Sequence, residues 1–246
     1  MRMRRRSFMT LMASSSIVAF CPSLATGQRM TEGGGRYFFL SDAEARFLTA
    51  ACDRLIPEDE FPSASQAGVV DYIDLQMATG FGRGERFYMR GPHPEGTAMQ
   101  GYQLPHPPAE VFRMAIAGLD EAIGEGGFAG LQPGDMDLVL TELEEGVRAA
   151  GEIPGGAFFD LLAAATIEGY FSDPVYNGNR DHAGWRMVGF PGAHAYYLDE
   201  VDRYDLAYHR PPSGIAWQPG LGIPPRISPG GMAPAGAASA ATGEAG

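Results

Sequence analysis

Apolar residues recur at helical spacing in five stretches of the chain, and nowhere do they alternate with polar ones as a half-buried strand requires. The first stripe is Ala45, Leu48, Cys52 and Leu55. It follows Ser41-Asp42-Ala43-Glu44, where the serine oxygen can accept from the N–H of Glu44 while the glutamate reaches back to the serine N–H. Pro57 ends this helix, and Glu58-Asp59-Glu60 sits in a loop running through Pro62. Val69, Val70, Ile73 and Met77 mark a second helix over 65–78. Pro107-Pro108-Ala109-Glu110 opens a third, because proline is tolerated in a first turn; its apolar face is Val111, Phe112, Ala115, Ile116, Leu119 and Ile123, and Gly124 to Gly127 break it.

A fourth helix follows Phe128 and Leu131 over 133–145, with Met136, Leu140 and Leu143 inward. A fifth runs over 156–171 through Phe158, Phe159, Leu162, Ala165 and Ile167. Trp185 to Gly192 reads as a short helix or strand, and 196–205 as a short segment. The pattern predicts a mainly α, irregular helical domain of about five helices with long loops over 41–210. Residues 26–40 are a Gly-rich, flexible leader. From Pro211 the last 36 residues hold 7 Pro, 8 Gly and 8 Ala with only Arg226 and Glu244 charged. Such a stretch cannot bury enough apolar surface to offset chain entropy, so 211–246 is expected to be disordered or extended, laid on a partner through Trp217.

The N-terminus has a different pattern. Arg2, Arg4, Arg5 and Arg6 precede an uncharged stretch from Phe8 to Phe20, then Pro22 and the small-residue site Ser23-Leu24-Ala25. That apolar stretch is shorter than the roughly 20 residues a membrane-spanning helix needs, and the order of basic, apolar and small regions is that of an export signal. Arg5-Arg6-Ser7-Phe8-Met9 is similar to the R-R-x-F-L core of twin-arginine signals, which makes 1–25 a twin-arginine signal peptide recognised by the twin-arginine translocase. Phe20 before Cys21 argues against a lipoprotein signal, because a small residue belongs there. With 1–25 removed, Cys52 is the single cysteine, so no internal disulfide would form. Its place on an apolar stripe predicts a buried, inert thiol.

Composition then excludes several chemistries. The 246 residues carry 30 acidic and 18 basic side chains, a formal charge of -12, and every basic one is arginine. Schiff-base chemistry, pyridoxal-phosphate attachment and Walker-type phosphate binding in their usual forms need a lysine ammonium. The acidic balance argues against nucleic acid as a partner. Between Gly91 and Val147 ten carboxylates face one arginine, Arg113; a solvated face accounts for this, with docking of a basic partner as the sharper alternative. Gly80-x-Gly82-x-Gly84 lacks the preceding strand a dinucleotide loop requires. Asn177-x-Asn179-x-Asp181 begins like a calcium loop, but His182 and Val188 stand where glycine and the bidentate glutamate belong, so turn-forming side chains that satisfy loop N–H groups are expected instead. The five histidines do not pair at i, i+3 or i+4, and no G-x-S-x-G nucleophile elbow is present. Accordingly no catalytic, cofactor-binding or metal-ligating residues are expected in this chain.

What remains is a set of aromatic and turn residues in loops, from which Tyr88, Gln100, Tyr102, Asp173, Tyr176, Asn179, Trp185 and Phe190 are the candidate partner interface. Large aromatics with few acids, bases or nucleophiles suit an interface better than an active site. The plainer alternative is that they pin the loops to their own helices.

Several segments together resemble the gluconate 2-dehydrogenase subunit 3 family, the small subunits of membrane-associated flavin-dependent sugar and sugar-acid dehydrogenases. They are Leu55-Ile56-Pro57, the run from Gly68 to Asp74, Tyr88-Met89-Arg90-Gly91-Pro92, Gln100-Gly101-Tyr102-Gln103, the run from Glu168 to Asn179, and the run from Gly184 to Gly192. Asn177 departs from the glycine usual in the family, although asparagine tolerates a left-handed turn nearly as well. The resemblance implies a subunit without catalytic residues of its own. FAD would reside in a large partner that oxidises the sugar, and haem c in a multihaem cytochrome c subunit that passes electrons to quinone. The small subunit would supply the export signal and carry its folded partner to the periplasm, where the complex associates with the outer face of the inner membrane. The rival is a free-standing exported enzyme or metal-binding protein. Metal content and sugar-dependent dye reduction of the purified chain separate the two.

Overall fold

The structure is a computed structural model that describes residues 36–94, 96–97, 100–192, 201–202, 204 and 211–215. The segment read as an export signal, with Arg5, Arg6 and Phe8, and Trp217, lie outside the described residues, as do most of 196–205 and most of the tail. Among the described residues there are six α-helices and no strand: α1 Asp42–Leu55, α2 Val69–Ala78, α3 Pro108–Ile123, α4 Pro133–Glu144, α5 Gly155–Phe171 and α6 Ala183–Val188. The chain is therefore mainly α, with five long helices and one short one.

Helix α1 starts on the capping box expected for it: Ser41 Oγ accepts from Glu44 N, and Glu44 Oε2 accepts from Ser41 N at 2.7 Å. Its buried face adds Phe47 to Ala45, Leu48 and Cys52. Phe47 lies 4.8 Å from Phe128 and 6.3 Å from Phe158, which meets Phe112 edge-on at 5.7 Å. Four rings from α1, α3, α5 and the short turn Phe128–Gly130 thus make the centre of the core, each fully buried. Aromatic pairs in these geometries add about 1 kcal/mol beyond area burial.

One boundary differs clearly from the sequence expectation. Helix α2 begins at Val69, not near residue 65. The reason is Gly68, whose φ of +87° belongs to the left-handed region, and whose place a side chain could not share because a Cβ would come within 2.7 Å of the Asn177 carbonyl. Ser65 is drawn into a turn instead, donating both its N–H and its hydroxyl to the Asp53 carboxylate at 2.7 Å. In α5, Ile167 is 56% exposed, and Thr166 is the buried residue in that turn. The threonine hydroxyl is satisfied within its own helix by the Leu162 carbonyl at 2.7 Å, which lets it face the core beside Cys52.

Helix α2 also buries two acids. Asp74, 1% exposed, accepts the N–H groups of Phe38, Phe39 and Leu40 at 2.7 to 2.9 Å, which fixes the end of the stretch read as a flexible leader onto the domain. Asp71 receives Arg180 Nη2 at 3.0 Å. These contacts tie α2 to segments far away in the chain.

Cys52 is fully buried, and burial pushes its thiol up to about 12, outweighing the hydrogen bond with Thr166 that favours the thiolate. Thiolate is the reactive form, so this cysteine is inert in the native state. In a chain carrying Cys21→Ser, Cys52 is expected to stay unmodified by an aromatic disulfide reagent at mildly alkaline pH and to react stoichiometrically once denaturant is added. Rapid labelling of the folded chain would contradict the buried placement.

Candidate functional site

The segment from the end of α5 through α6 folds on local rules that the sequence announces only partly. Asp173 caps the short turn Pro174–Tyr176 by accepting Val175 N at 3.0 Å. Asn177, Asn179, Asp181 and His182 all adopt positive φ, between 45° and 70°. For residues other than glycine each such position costs about 1 kcal/mol, less for Asn and Asp, and must be held by its surroundings. The holding group is Asn179, completely buried: its N–H donates to the Gly169 carbonyl, its Nδ2 to the Ser172 carbonyl at 2.8 Å, and its Oδ1 accepts Gly184 N at 2.8 Å. Arg180 completes the fastening, donating its N–H to the Ala67 carbonyl and its guanidinium to the Gln66 carbonyl and Asp71.

Gly178 occupies the tightest point, where a Cβ would lie 2.2 Å from the Gly169 carbonyl. Trp185 closes the unit: its ring is 6% exposed, its Nε1 donates to the Phe171 carbonyl at 2.7 Å, and Phe190 meets it edge-on at 5.1 Å. His182 packs 5.2 Å from the same indole. Burial holds the His182 imidazole below its ordinary value; Asp173 opposes this and Arg186 adds to it.

The first residues of the Pro-rich tail belong to this unit. Ser213 N donates to the Pro191 carbonyl at 3.1 Å, and Ile215 N donates to Asp173 Oδ2 at 2.5 Å. Residues 213–215 are thus laid across the loop, with Gly192 and Ser213 in an isolated bridge.

The candidate interface residues therefore divide. Asp173, Asn179 and Trp185 are buried and hold the loop to its own helices, which is the plainer of the two readings. Tyr176 and Phe190, 47% and 46% exposed, point outward from the same unit. With them come Met187, Val188 and Ile215, which sequence reasoning did not single out. The signal for Met187 and Val188 was a six-residue helix whose inner face is already filled by Ala183, Gly184 and Trp185. These five apolar side chains stand on a backbone fixed by buried hydrogen bonds, the arrangement expected of a protein–protein contact face.

Tyr88, Gln100 and Tyr102 form a separate group, lining a groove of about 280 Å³ in the 80–106 loop region. Tyr88 is exposed, whereas Tyr102 is half-buried, stacks on Phe87 at 4.6 Å and donates its hydroxyl to the His106 carbonyl. Burial, with the Glu110 charge adding to it, pushes the Tyr102 phenol up to about 12 and keeps it a donor. Gln100 uses its Oε1 to accept Thr97 N. Next to this groove a cleft of about 650 Å³ separates residues 93–104 from the first turns of α5.

The acidic run between Gly91 and Val147 is partly employed within the chain. Asp137 accepts from Arg54 Nε and Nη2, each at 2.7 Å, Glu142 pairs with Arg148 at 2.6 Å, and Asp120 accepts Phe128 N. Among the described residues no group of three or more His, Cys, Asp or Glu side chains is placed to hold a metal ion, and no helix is long and apolar enough to cross a membrane.

Comparison with known families gives one result. The model of the family described as gluconate 2-dehydrogenase subunit 3 matches residues 42–192, which spans α1 to α6 and includes the whole Asn179-centred loop. No curated protein and no solved structure matches.

Proposed function

This chain belongs to the gluconate 2-dehydrogenase subunit 3 family, and from that premise we propose that it is the non-catalytic small subunit of a periplasmic flavoprotein sugar or sugar-acid dehydrogenase. Its work is to bind the folded, FAD-bearing large subunit, to escort it through twin-arginine export under the Arg5-Arg6 signal, and to stabilise it afterwards. FAD stays with the large subunit, and electrons leave through a multihaem cytochrome c subunit at the outer face of the inner membrane. The observation that carries this reading is the set of exposed apolar side chains, Tyr176, Met187, Val188, Phe190 and Ile215, around a loop fastened by Asn179 and Trp185. A rigid apolar face needs little ordering when it binds, so most of its burial is realised as affinity.

Phe190 is the central test, because its half-exposed ring leans on Trp185 while its position is held by the backbone, whose N–H donates to the Trp185 carbonyl at 2.8 Å. Phe190→Asp places a charge in the contact and is expected to reduce copurification of the flavoprotein by at least about tenfold, as loss of a central aromatic anchor does. The thermal midpoint of the isolated variant should stay within about 3 °C of the parent, since surface substitutions seldom exceed about 0.5 kcal/mol. Undiminished copurification would remove this face from the interface.

A further inference from the structure

A further recess opens beside Tyr176, between α2 and the last turn of α5. It holds about 460 Å³ and is walled by Tyr72, Arg86, Glu168, Phe171, Asp173 and Tyr176. Tyr72 OH donates to Glu168 Oε2 at 3.1 Å. Glu168 is exposed in the last turn of α5. Exposed Ile167 and Tyr176 form its apolar rim, and Tyr176 is shared with the contact face. Burial, reinforced by the Glu168 charge, pushes the Tyr72 phenol well above its ordinary value, so the tyrosine remains a neutral donor oriented on the carboxylate.

We propose that this recess seats an arginine or lysine side chain of the flavoprotein subunit, with its charge on Glu168 and its stem between Tyr72 and Tyr176. The inference rests on the small-subunit reading above. Charge decides the occupant. Glu168 and Asp173 outweigh Arg86, the one cation that lines the recess among the described residues, whose side chain is exposed. Tyrosine faces add attraction for a cation as it leaves water. The apolar rim favours a side chain presented by a protein surface over a free small cation, because Ile167 and Tyr176 are covered only when a surface closes on them. In a contact closed around it, the ion pair fixes register and slows dissociation.

The test uses the full chain and its purified flavoprotein, with binding measured at low and moderate ionic strength. Glu168→Gln keeps an acceptor for Tyr72 OH and is expected to weaken binding about tenfold at low salt and to flatten the salt dependence. Arg86→Ala should leave binding unchanged or tighter. Unchanged affinity of Glu168→Gln, or weakening by Arg86→Ala, overturns the proposal; the latter outcome would assign the recess to an anionic group. Phe190→Asp, measured in parallel, separates the two levels. If it abolishes binding while Glu168→Gln does not, the recess falls and the contact face stands. If the unaltered chain does not bind the flavoprotein at all, the small-subunit reading itself fails.

Discussion

Replacing Asn179 with alanine is expected to cost about 4 kcal/mol, the largest stability loss of any single polar substitution in the loop. Three contributions combine. The Ser172 carbonyl loses the Nδ2 donor and the Gly184 N–H loses the Oδ1 acceptor, the first partly and the second fully buried. Leaving a buried polar group unpaired costs about 1–3 kcal/mol each. Residue 179 also sits at φ 45°, ψ 46°, where alanine is disfavoured by roughly 1 kcal/mol relative to glycine. For a domain of this size the loss is a fall in thermal midpoint of roughly 10 °C. Asn179→Gly separates the contributions: it loses the same two hydrogen bonds but not the backbone preference, so its midpoint should lie between the two. Because the face of Phe190 and Met187 rests on this anchor, flavoprotein binding should fall together with the midpoint. A midpoint for Asn179→Ala within a degree or two of the parent would show that the loop is held by other contacts.

That prediction depends on structure that the sequence disclosed unevenly. The long helices were legible because their apolar stripes are narrow and their ends are punctuated by Pro57, Pro107-Pro108, Gly124 to Gly127 and Pro133. Helix α5 was legible as a helix but not in its facing. It is apolar on nearly every side, so periodicity could not choose between Ile167 and Thr166, and an intrahelical hydrogen bond decided it. The start of α2 was hidden for a different reason. Gly68 is left-handed because the Asn177 carbonyl approaches it from more than a hundred residues away.

The loop residues show the same limit. Turn formers around Asn177 and Asn179 announced a left-handed, side-chain-bonded turn, and the structure has one. Nothing in their order told which members face inward. Trp185 reads as an anchor for a partner until its Nε1 is seen to bond the Phe171 carbonyl, and Met187 and Val188 carry no assignment until the buried face of their short helix is seen to be Ala183, Gly184 and Trp185. The family match supplies what neither periodicity nor contact geometry contains, membership of a dehydrogenase complex.

The export role makes the other large prediction, and it concerns Arg5 and Arg6. Changing both to lysine keeps the charge and the preceding Arg2 and Arg4, so any effect reports a receptor that reads guanidinium groups in the R-R-x-F context, not a general need for a basic end. If the flavoprotein crosses the membrane only as cargo of this chain, periplasmic sugar-dependent dye reduction should drop by at least about tenfold, as expected when a receptor-read address is lost. The missing activity should be recovered, with FAD, in the cytoplasm. Recovery there matters as much as loss outside, because a folded but mislocated enzyme separates failed escort from failed assembly. Phe190→Asp then serves as the complement: it leaves the signal intact, so this chain should reach the periplasm alone while the large subunit stays behind. Normal periplasmic activity in the double lysine variant would sink the escort role, whatever the contact face proves to bind.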